Sequence, residues 1–528
     1  MTPLPTRWAG VLLPLFSIPS SASWGIGEIG DIARVARWLE AAGLRVLQLL
    51  PINEISPGDT SPYSALTAMA VDPQFLSLDR LEDFAALGGE AELEADLRVR
   101  LDVVRAAPAV DYAAVRELKQ RVLRRSFARF HDSEWLHGTR RSAALRAYIR
   151  DQAWWLDDYA LFRALHARYG ERAWTEWPAP LRRREPGALA RAREELAGDV
   201  LYRQYLQWIA DDQWAAARRD AAGVALVGDL PFMVGADSAD VWAHQDEFRL
   251  DASVGVPPDG FSPSGQDWRL PVYRWDALAG RDFDWLRDRG RRMAALFDGY
   301  RVDHLVGFYR TYFRPHDGSA AQFTPEDEAA QTALGERVLA VLREAGAAIM
   351  AEDLGTVPDF VRESLARIGV PGYKVLRWER HWRQESQPFT DPLDYPALAV
   401  ATSGTHDVET MAVWWEEAAL ADREAVLAIP SVAERLAPEE RARAIESPAL
   451  TDALRETLLA VLFASGADLL IVPMQDLFGW RDRINRPATV GPANWRWRLP
   501  WPSDRLATEP VAVDAATQIR TWTREYDR

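Results

Sequence analysis

Eight short strand-like runs recur along the chain, most of them ending in polar residues. They are Val11–Ser17, Arg45–Pro51, Val224–Pro231, Tyr300–Leu305, Ala348–Leu354, Tyr373–Trp378, Leu398–Asp407 and Asp468–Asp476. Several follow a helical pattern that stops at glycine. Residues 31–42 put Ile32, Val35, Ala36 and Leu39 on one face before Gly43, and residues 200–222 do the same with Leu201, Tyr205, Trp208 and Ile209 before Gly223. Strands alternating with helices build parallel β/α units, and eight such units close a barrel. The predicted fold is therefore α/β, a (β/α)8 TIM barrel with insertions at the C-terminal face of its strands.

Spacing locates the insertions. Residues 1–51 carry the first two barrel strands. Residues 52–223 are too many for one crossover and are mostly rich in Ala, Arg, Glu and Leu, with Trp and Tyr, so a mainly helical subdomain is expected there. The third strand falls at 224–231. Residues 232–298 are rich in Pro, Gly, Asp and Trp with little periodicity, which predicts a loop-rich lid at the barrel mouth. Residues 299–528 supply strands four to eight and a C-terminal helix and tail, with no run of short strands for an appended β-domain.

Net charge narrows the partners. A formal charge of −16 argues against nucleic acid, whose phosphates need a basic footprint, and against anionic membranes. With no cysteine there is no disulfide, no zinc–thiolate site and no cysteine nucleophile, and the cytoplasm is the default compartment. The run Gly10–Ile18 after Arg7 has the apolar character of a signal peptide, but Pro14 and the glycine-rich turn beyond it fit a first barrel strand better. No run of eighteen apolar residues exists, since Asp468 breaks the best candidate. The 23 tryptophans exceed what a chain of this length usually carries, and a surplus suits stacking on flat, amphipathic ligands.

The chemistry lies in the polar strand ends. Gly299–Gly307 reads G-Y-R-V-D-H-L-V-G. Arg301 and Asp303 lie two apart, which on a strand places both on one face, and a charged pair at the end of a barrel strand is how such a fold builds an active site. Three further ends carry carboxylates: Asp229 in Gly228-Asp-Leu-Pro231, Glu352 and Asp353 in Met350–Gly355, and Asp407 after His406 in Ser403–Asp407. Each alone reads equally well as a capping or loop-anchoring acid. Together, on one barrel, they converge on one mouth. Clustered carboxylates without phosphate loops leave glycosyl transfer or divalent-metal catalysis open. Gly25–Gly30 fits G-x-G-x-x-G, but no ribose-binding acid follows a second strand, so a tight turn is expected rather than a dinucleotide site.

Read together, S-W-G-I-G-E-I-G-D, S-P-Y-S-A, G-D-L-P-F, G-V-P-P-D, G-Q-D-W, R-V-D-H, E-D-L-G-T-V-P, G-T-H-D, P-M-Q-D-L, N-R-P and N-W-R-W-R-L resemble the amylomaltases, the 4-α-glucanotransferases of the α-amylase superfamily. The resemblance runs in order from Trp8 to Leu499 and thins in the helical insertion and the tail. It implies a retaining double displacement on α-1,4-glucans and malto-oligosaccharides, with no metal or organic cofactor. By the same resemblance, Asp303 is the nucleophile, Glu352 the general acid/base and Asp407 the carboxylate supporting the transition state. Tyr63, Asp229, Arg301 and His406 would surround the donor sugar, Gln266 and Trp268 would reach over the acceptor side, and Asn485 belongs to a late loop at the groove.

Four places depart from many relatives: Arg269 where glycine is usual, Gly260 where several carry tyrosine, a short stretch at Asp251–Gly255, and Val408 after the His-Asp pair. The first three lie in the predicted lid, so acceptor choice is where this chain should differ. Arg269 is expected to meet the acceptor or narrow the groove. The rival readings are an α-glucan hydrolase with the same carboxylates, a non-catalytic glucan-binding protein, and a metal-dependent barrel enzyme.

Overall fold

The computed structural model describes residues 7–258, 265–487, 489, 491 and 493–528. Eight parallel strands close a barrel. In chain order they are β1 (Trp8–Leu12), β2 (Val46–Gln48), β3 (Ala225–Leu230), β6 (Gly299–Val302), β9 (Ala348–Ala351), β10 (Gly372–Val375), β11 (Ala399–Thr402) and β12 (Leu469–Pro473). Closure pairs β1 with β12, Trp8 opposite Leu469 and Leu12 opposite Pro473. Nearly every strand residue is buried. That is why the runs read as continuous apolar stretches rather than alternating ones.

Helix Ile32–Ala41 buries Ile32, Val35, Ala36 and Leu39 almost completely. It ends before Gly43, whose φ of +78° is a left-handed conformation that glycine adopts without a Cβ penalty. The C-terminal helix Pro510–Glu525 packs on it, and Trp38 Nε1 donates to the Ala512 carbonyl at 2.9 Å. Among the described residues no helix is long and apolar enough to cross a membrane.

Between β2 and β3 the chain builds helices, the longest being Tyr112–Phe130, Ala153–Arg168 and Ala197–Asp220. His166, completely buried on the second of these, sits 2.7 Å from Glu171 Oε2 through Nδ1 and 2.9 Å from Asp237 Oδ2 through Nε2. Asp237 lies in the loop after β3, so this contact ties the helical layer to one wall of the barrel mouth. Burial disfavours the imidazolium, but the hydrogen bonds to Asp237 and Glu171 and the charge of Asp237 outweigh it and raise the His166 pKa. Arg163, which also touches Glu171 at 3.0 Å, opposes that rise. A raised histidine pKa stabilises fully below the unfolded value and is lost as pH rises through the folded one. His166→Gln is therefore expected to cost about 1.5–3 kcal/mol near pH 6 and to flatten the decline of the melting temperature above about pH 6.5. Thermal melts from pH 5 to 9 check this. A slope unchanged by the substitution would assign it to other groups.

The segment 232–298 is not mainly loop. It contains β4 (Phe248–Val256) and β5 (Gln266–Tyr273), which pair antiparallel. With β7 (Thr311–Pro315) and β8 (Gln322–Thr324) they form a four-stranded sheet ordered β5-β4-β7-β8. Register shifts between Arg249 and Val254, and again between Val254 and Gly255, break the two-residue alternation that marks a half-buried strand. Asp251–Gly255, expected as a short lid stretch, lies inside β4. Gly260 lies outside the described residues.

Candidate active site

Because the barrel strands are parallel, the residues that follow each of them meet at one face. β6 ends at Val302, so Asp303 is the first residue beyond the strand and not a strand residue as expected. Arg301, within β6 and 3% exposed, still reaches it. Its Nη1 lies 2.7 Å from Asp229 Oδ2 and 2.9 Å from Asp303 Oδ1, and its Nη2 lies 3.7 Å from Glu352 Oε2. One guanidinium thus joins carboxylates from the ends of three adjacent strands. Burying it without them would cost several kcal/mol.

His304 takes a left-handed backbone, φ +42°, a conformation costing about 1–2 kcal/mol in a residue with a Cβ. In that turn its N–H donates to Glu352 Oε2 at 2.6 Å. Strain of this kind persists where surrounding structure over-determines it. Here the His304 ring is held edge-to-face by Trp268, with centroids 4.7 Å apart. Burial pushes the His304 pKa down to about 4, so the ring is neutral near pH 7.

Glu352 carries the largest consequence. Burial pushes its pKa up to about 8. The charges of Asp303 and Asp407 add to the rise, while Arg301 and the His304 N–H oppose it. At neutral pH it is mainly protonated, the state a proton donor needs. Asp407 behaves oppositely. Burial would raise it, but the His406 imidazole at 3.4 Å and the Asn485 amide, donating at 2.6 Å, hold its carboxyl well below the usual carboxylate range. Two acids at one mouth therefore stand in different protonation states.

The Tyr63 hydroxyl donates to Asp229 Oδ2 at 3.0 Å and lies 3.0 Å from His406 Nε2. Its ring stacks on that imidazole at 5.5 Å. Trp495 packs against both rings, each at 5.7 Å. The sequence showed Trp495 only as part of N-W-R-W-R-L, with no role attached. Arg483 was also missed. Its guanidinium donates to the backbone carbonyls of Asp407, at 3.0 Å, and Asn485, at 3.2 Å, so it holds the two residues together. No local motif marks it, because its Asp407 partner lies on a separate loop, 76 residues away.

A cleft of about 830 Å³ opens above these groups, lined by Tyr63, Trp268, Asp303, Asp407, Asn485 and Trp495 among others. Aromatic faces beside carboxylates and an amide suit a ligand with both apolar and hydroxylated surfaces. The Gln266 Oε1 accepts from Trp268 Nε1 at 3.0 Å. Among the described residues, none of the clusters of acids and histidines is arranged to hold a metal ion.

Arg269, expected to meet the acceptor or narrow the groove, follows Trp268 on β5. Its side chain is exposed and is not among the described residues lining the cleft. The departure from glycine lies in the backbone, at φ +56°. Relieving that conformation gains roughly 1–2 kcal/mol, and the added freedom of glycine in the unfolded chain takes back about 0.5–1. Arg269→Gly is therefore expected to stabilise by about 0.5–1 kcal/mol and to leave the product ladder from maltotriose unchanged. A shifted ladder would restore the arginine to the acceptor side.

Comparisons with known proteins agree over nearly the whole chain. The family described as 4-alpha-glucanotransferase matches residues 13–504. A 4-alpha-glucanotransferase of Chlamydia pneumoniae is 32% identical over 523 residues, covering 96% of this chain and 92% of that protein. One from Thermus thermophilus is 34% identical over 514 residues, covering 93% and 95%. Among solved structures, an amylomaltase from Streptococcus agalactiae in complex with acarbose superposes with a TM-score of 0.82 at 27% identity, covering 99% of each chain.

Proposed function

The chain belongs to the 4-alpha-glucanotransferase family, and from that premise we propose that Asp303, Glu352 and Asp407 carry the transfer of α-1,4-glucan segments between malto-oligosaccharides. The observation that carries this reading is the Arg301 guanidinium, which sets Asp303 beside a Glu352 whose carboxyl is pushed up to about 8. A carboxylate nucleophile paired with a guanidinium, next to a protonated acid, is the arrangement that retaining glycoside chemistry requires.

In the first step Arg301 holds Asp303 Oδ1, and Oδ2 attacks the anomeric carbon of the donor sugar. The bond from that carbon to the leaving O4 breaks as O4 takes the proton of Glu352. In the second step the 4-hydroxyl of an acceptor glucan gives its proton to Glu352 and displaces Asp303. Asp407, kept anionic by His406 and Asn485, lies where positive charge develops on the ring and lowers the barrier electrostatically. Tyr63 and Asp229 bracket the donor sugar. Trp268, with Gln266 fixing its indole N–H, offers a face to the acceptor side.

Transfer conserves the number of glycosidic bonds, and hydrolysis does not. Incubated with maltotriose, the enzyme is expected to yield glucose and a ladder of longer chains at a constant total of reducing ends, with or without EDTA. Rising reducing ends with only shorter products would replace transfer by hydrolysis. Activity abolished by EDTA would replace it by metal chemistry.

A further inference from the structure

The protein has 23 tryptophans, and only two are exposed: Trp378 at 37% and Trp382 at 61%. Both lie on one loop, four residues apart. The loop follows β10, so it begins at the face where the active site opens. Val375, the last residue of β10, pairs with Thr402 of β11, and the Trp378 N–H donates to the Val375 carbonyl at 2.8 Å. The intervening Arg377 donates to the carbonyls of Ser403, at 3.2 Å, and Glu409, at 2.9 Å. Those residues flank His406 and Asp407. The tryptophan loop is therefore bonded to the loop that carries the third carboxylate.

The loop is braced in the shape that holds these rings out. The Thr390 N–H donates to Glu379 O and the His381 N–H to Pro388 O, both at 2.9 Å. Arg380 stacks on the Phe389 ring at 3.7 Å and bonds Asp422 at 2.6 Å. A large apolar ring in water is unfavourable, and two of them on one hydrogen-bonded loop mark a binding surface. The neighbours His381, Arg383, Gln384 and Gln387 are exposed hydrogen-bonding groups.

We propose that Trp378 and Trp382 form a second glucan-binding platform, outside the cleft, that holds chains longer than the cleft can accommodate. This rests on the glucanotransferase reading. A chain of α-linked glucose presents apolar C–H faces rimmed by hydroxyls and carries no charge. It matches exposed indole faces with polar neighbours and, being uncharged, meets no repulsion from a protein of net charge −16. Holding a long glucan beside the mouth raises its effective concentration at Asp303, which a short oligosaccharide does not need.

The test compares full-length wild type with Trp378→Ala/Trp382→Ala in native gels containing amylose, with maltotriose disproportionation measured in parallel. The double substitution is expected to weaken amylose affinity roughly tenfold, with kcat/KM on maltotriose within about twofold because exposed substitutions barely affect the fold. Trp382→Tyr should retain part of the affinity. Unchanged amylose affinity in the double variant overturns the proposal. So does a concentration-dependent dimer that the substitutions dissolve while amylose affinity stays intact, which would assign the pair to a second copy of the chain. A wild-type enzyme inactive on maltotriose would instead refute the parent reading.

Discussion

Asp303→Asn is expected to reduce disproportionation of maltotriose by about 10⁴-fold or more, on the order of 5.5 kcal/mol in barrier. An amide nitrogen or oxygen is a very poor nucleophile toward the anomeric carbon, so no covalent intermediate forms. The fold should survive. Asparagine has the same shape, and Arg301 keeps its 2.7 Å pairing with Asp229, so no buried cation is left alone. Oligosaccharide binding, measured by calorimetry, should change by less than about tenfold, because most of the cleft lining is intact. The substitution also removes a negative charge that helps raise Glu352 and Asp229. Both carboxyls should titrate lower in the variant. Turnover near the wild-type rate would remove Asp303 from the mechanism.

Glu352→Gln should be nearly as damaging, but only to donors that need a proton. With maltotriose the departing sugar hydroxyl is a poor leaving group, and a loss of about 10³-fold or more is expected. With α-glucosyl fluoride, whose leaving group is already stable as an anion, loading of Asp303 should fall by no more than about tenfold. Glutamine can still accept the His304 N–H, so the local turn is preserved. Wild-type enzyme supplies an independent check. A donor pushed up to about 8 is protonated below that pH and deprotonated above it, so turnover of maltotriose should decline as pH rises through about 8. Loading from glucosyl fluoride should lack that alkaline limb. Equal losses on both donors, or an alkaline limb common to both, would deny Glu352 the role of acid.

The acids were legible because each sits in a short local pattern at the end of an apolar run: R-V-D-H, E-D-L-G, G-T-H-D. Burial of a strand on both faces is written into a few consecutive residues, and the eight runs needed no knowledge of their neighbours. The strand boundaries were less exact. The run expected over Leu398–Asp407 is a strand only from Ala399 to Thr402, because hydrophobicity does not show where pairing stops. Trp495 and Arg483 were missed for a different reason. A tryptophan becomes a wall of the cleft only when closure brings it against Tyr63, more than four hundred residues earlier in the chain. An arginine becomes a clamp only when a distant loop brings the Asp407 carbonyl to it, beside the Asn485 carbonyl of its own loop.

By itself, then, the sequence determined the barrel, its eight strands and the family to which the chain belongs. All of these depend on residue type within windows of a few positions. Tertiary structure alone decided which carboxyl is protonated. Glu352 and Asp407 are both acids after strand ends, and apart from His406 beside Asp407 the groups that separate them come from elsewhere in the chain. Burial among Asp303 and Asp407 raises one, while His406 and Asn485 depress the other. It also decided the antiparallel sheet beside the mouth, whose register shifts erase the alternation a reader would look for, and the left-handed backbone that strains Arg269 where glycine would be at ease. Electrostatic environment and backbone register are sums over groups far apart in the chain, and only the folded molecule brings those groups within range of one another.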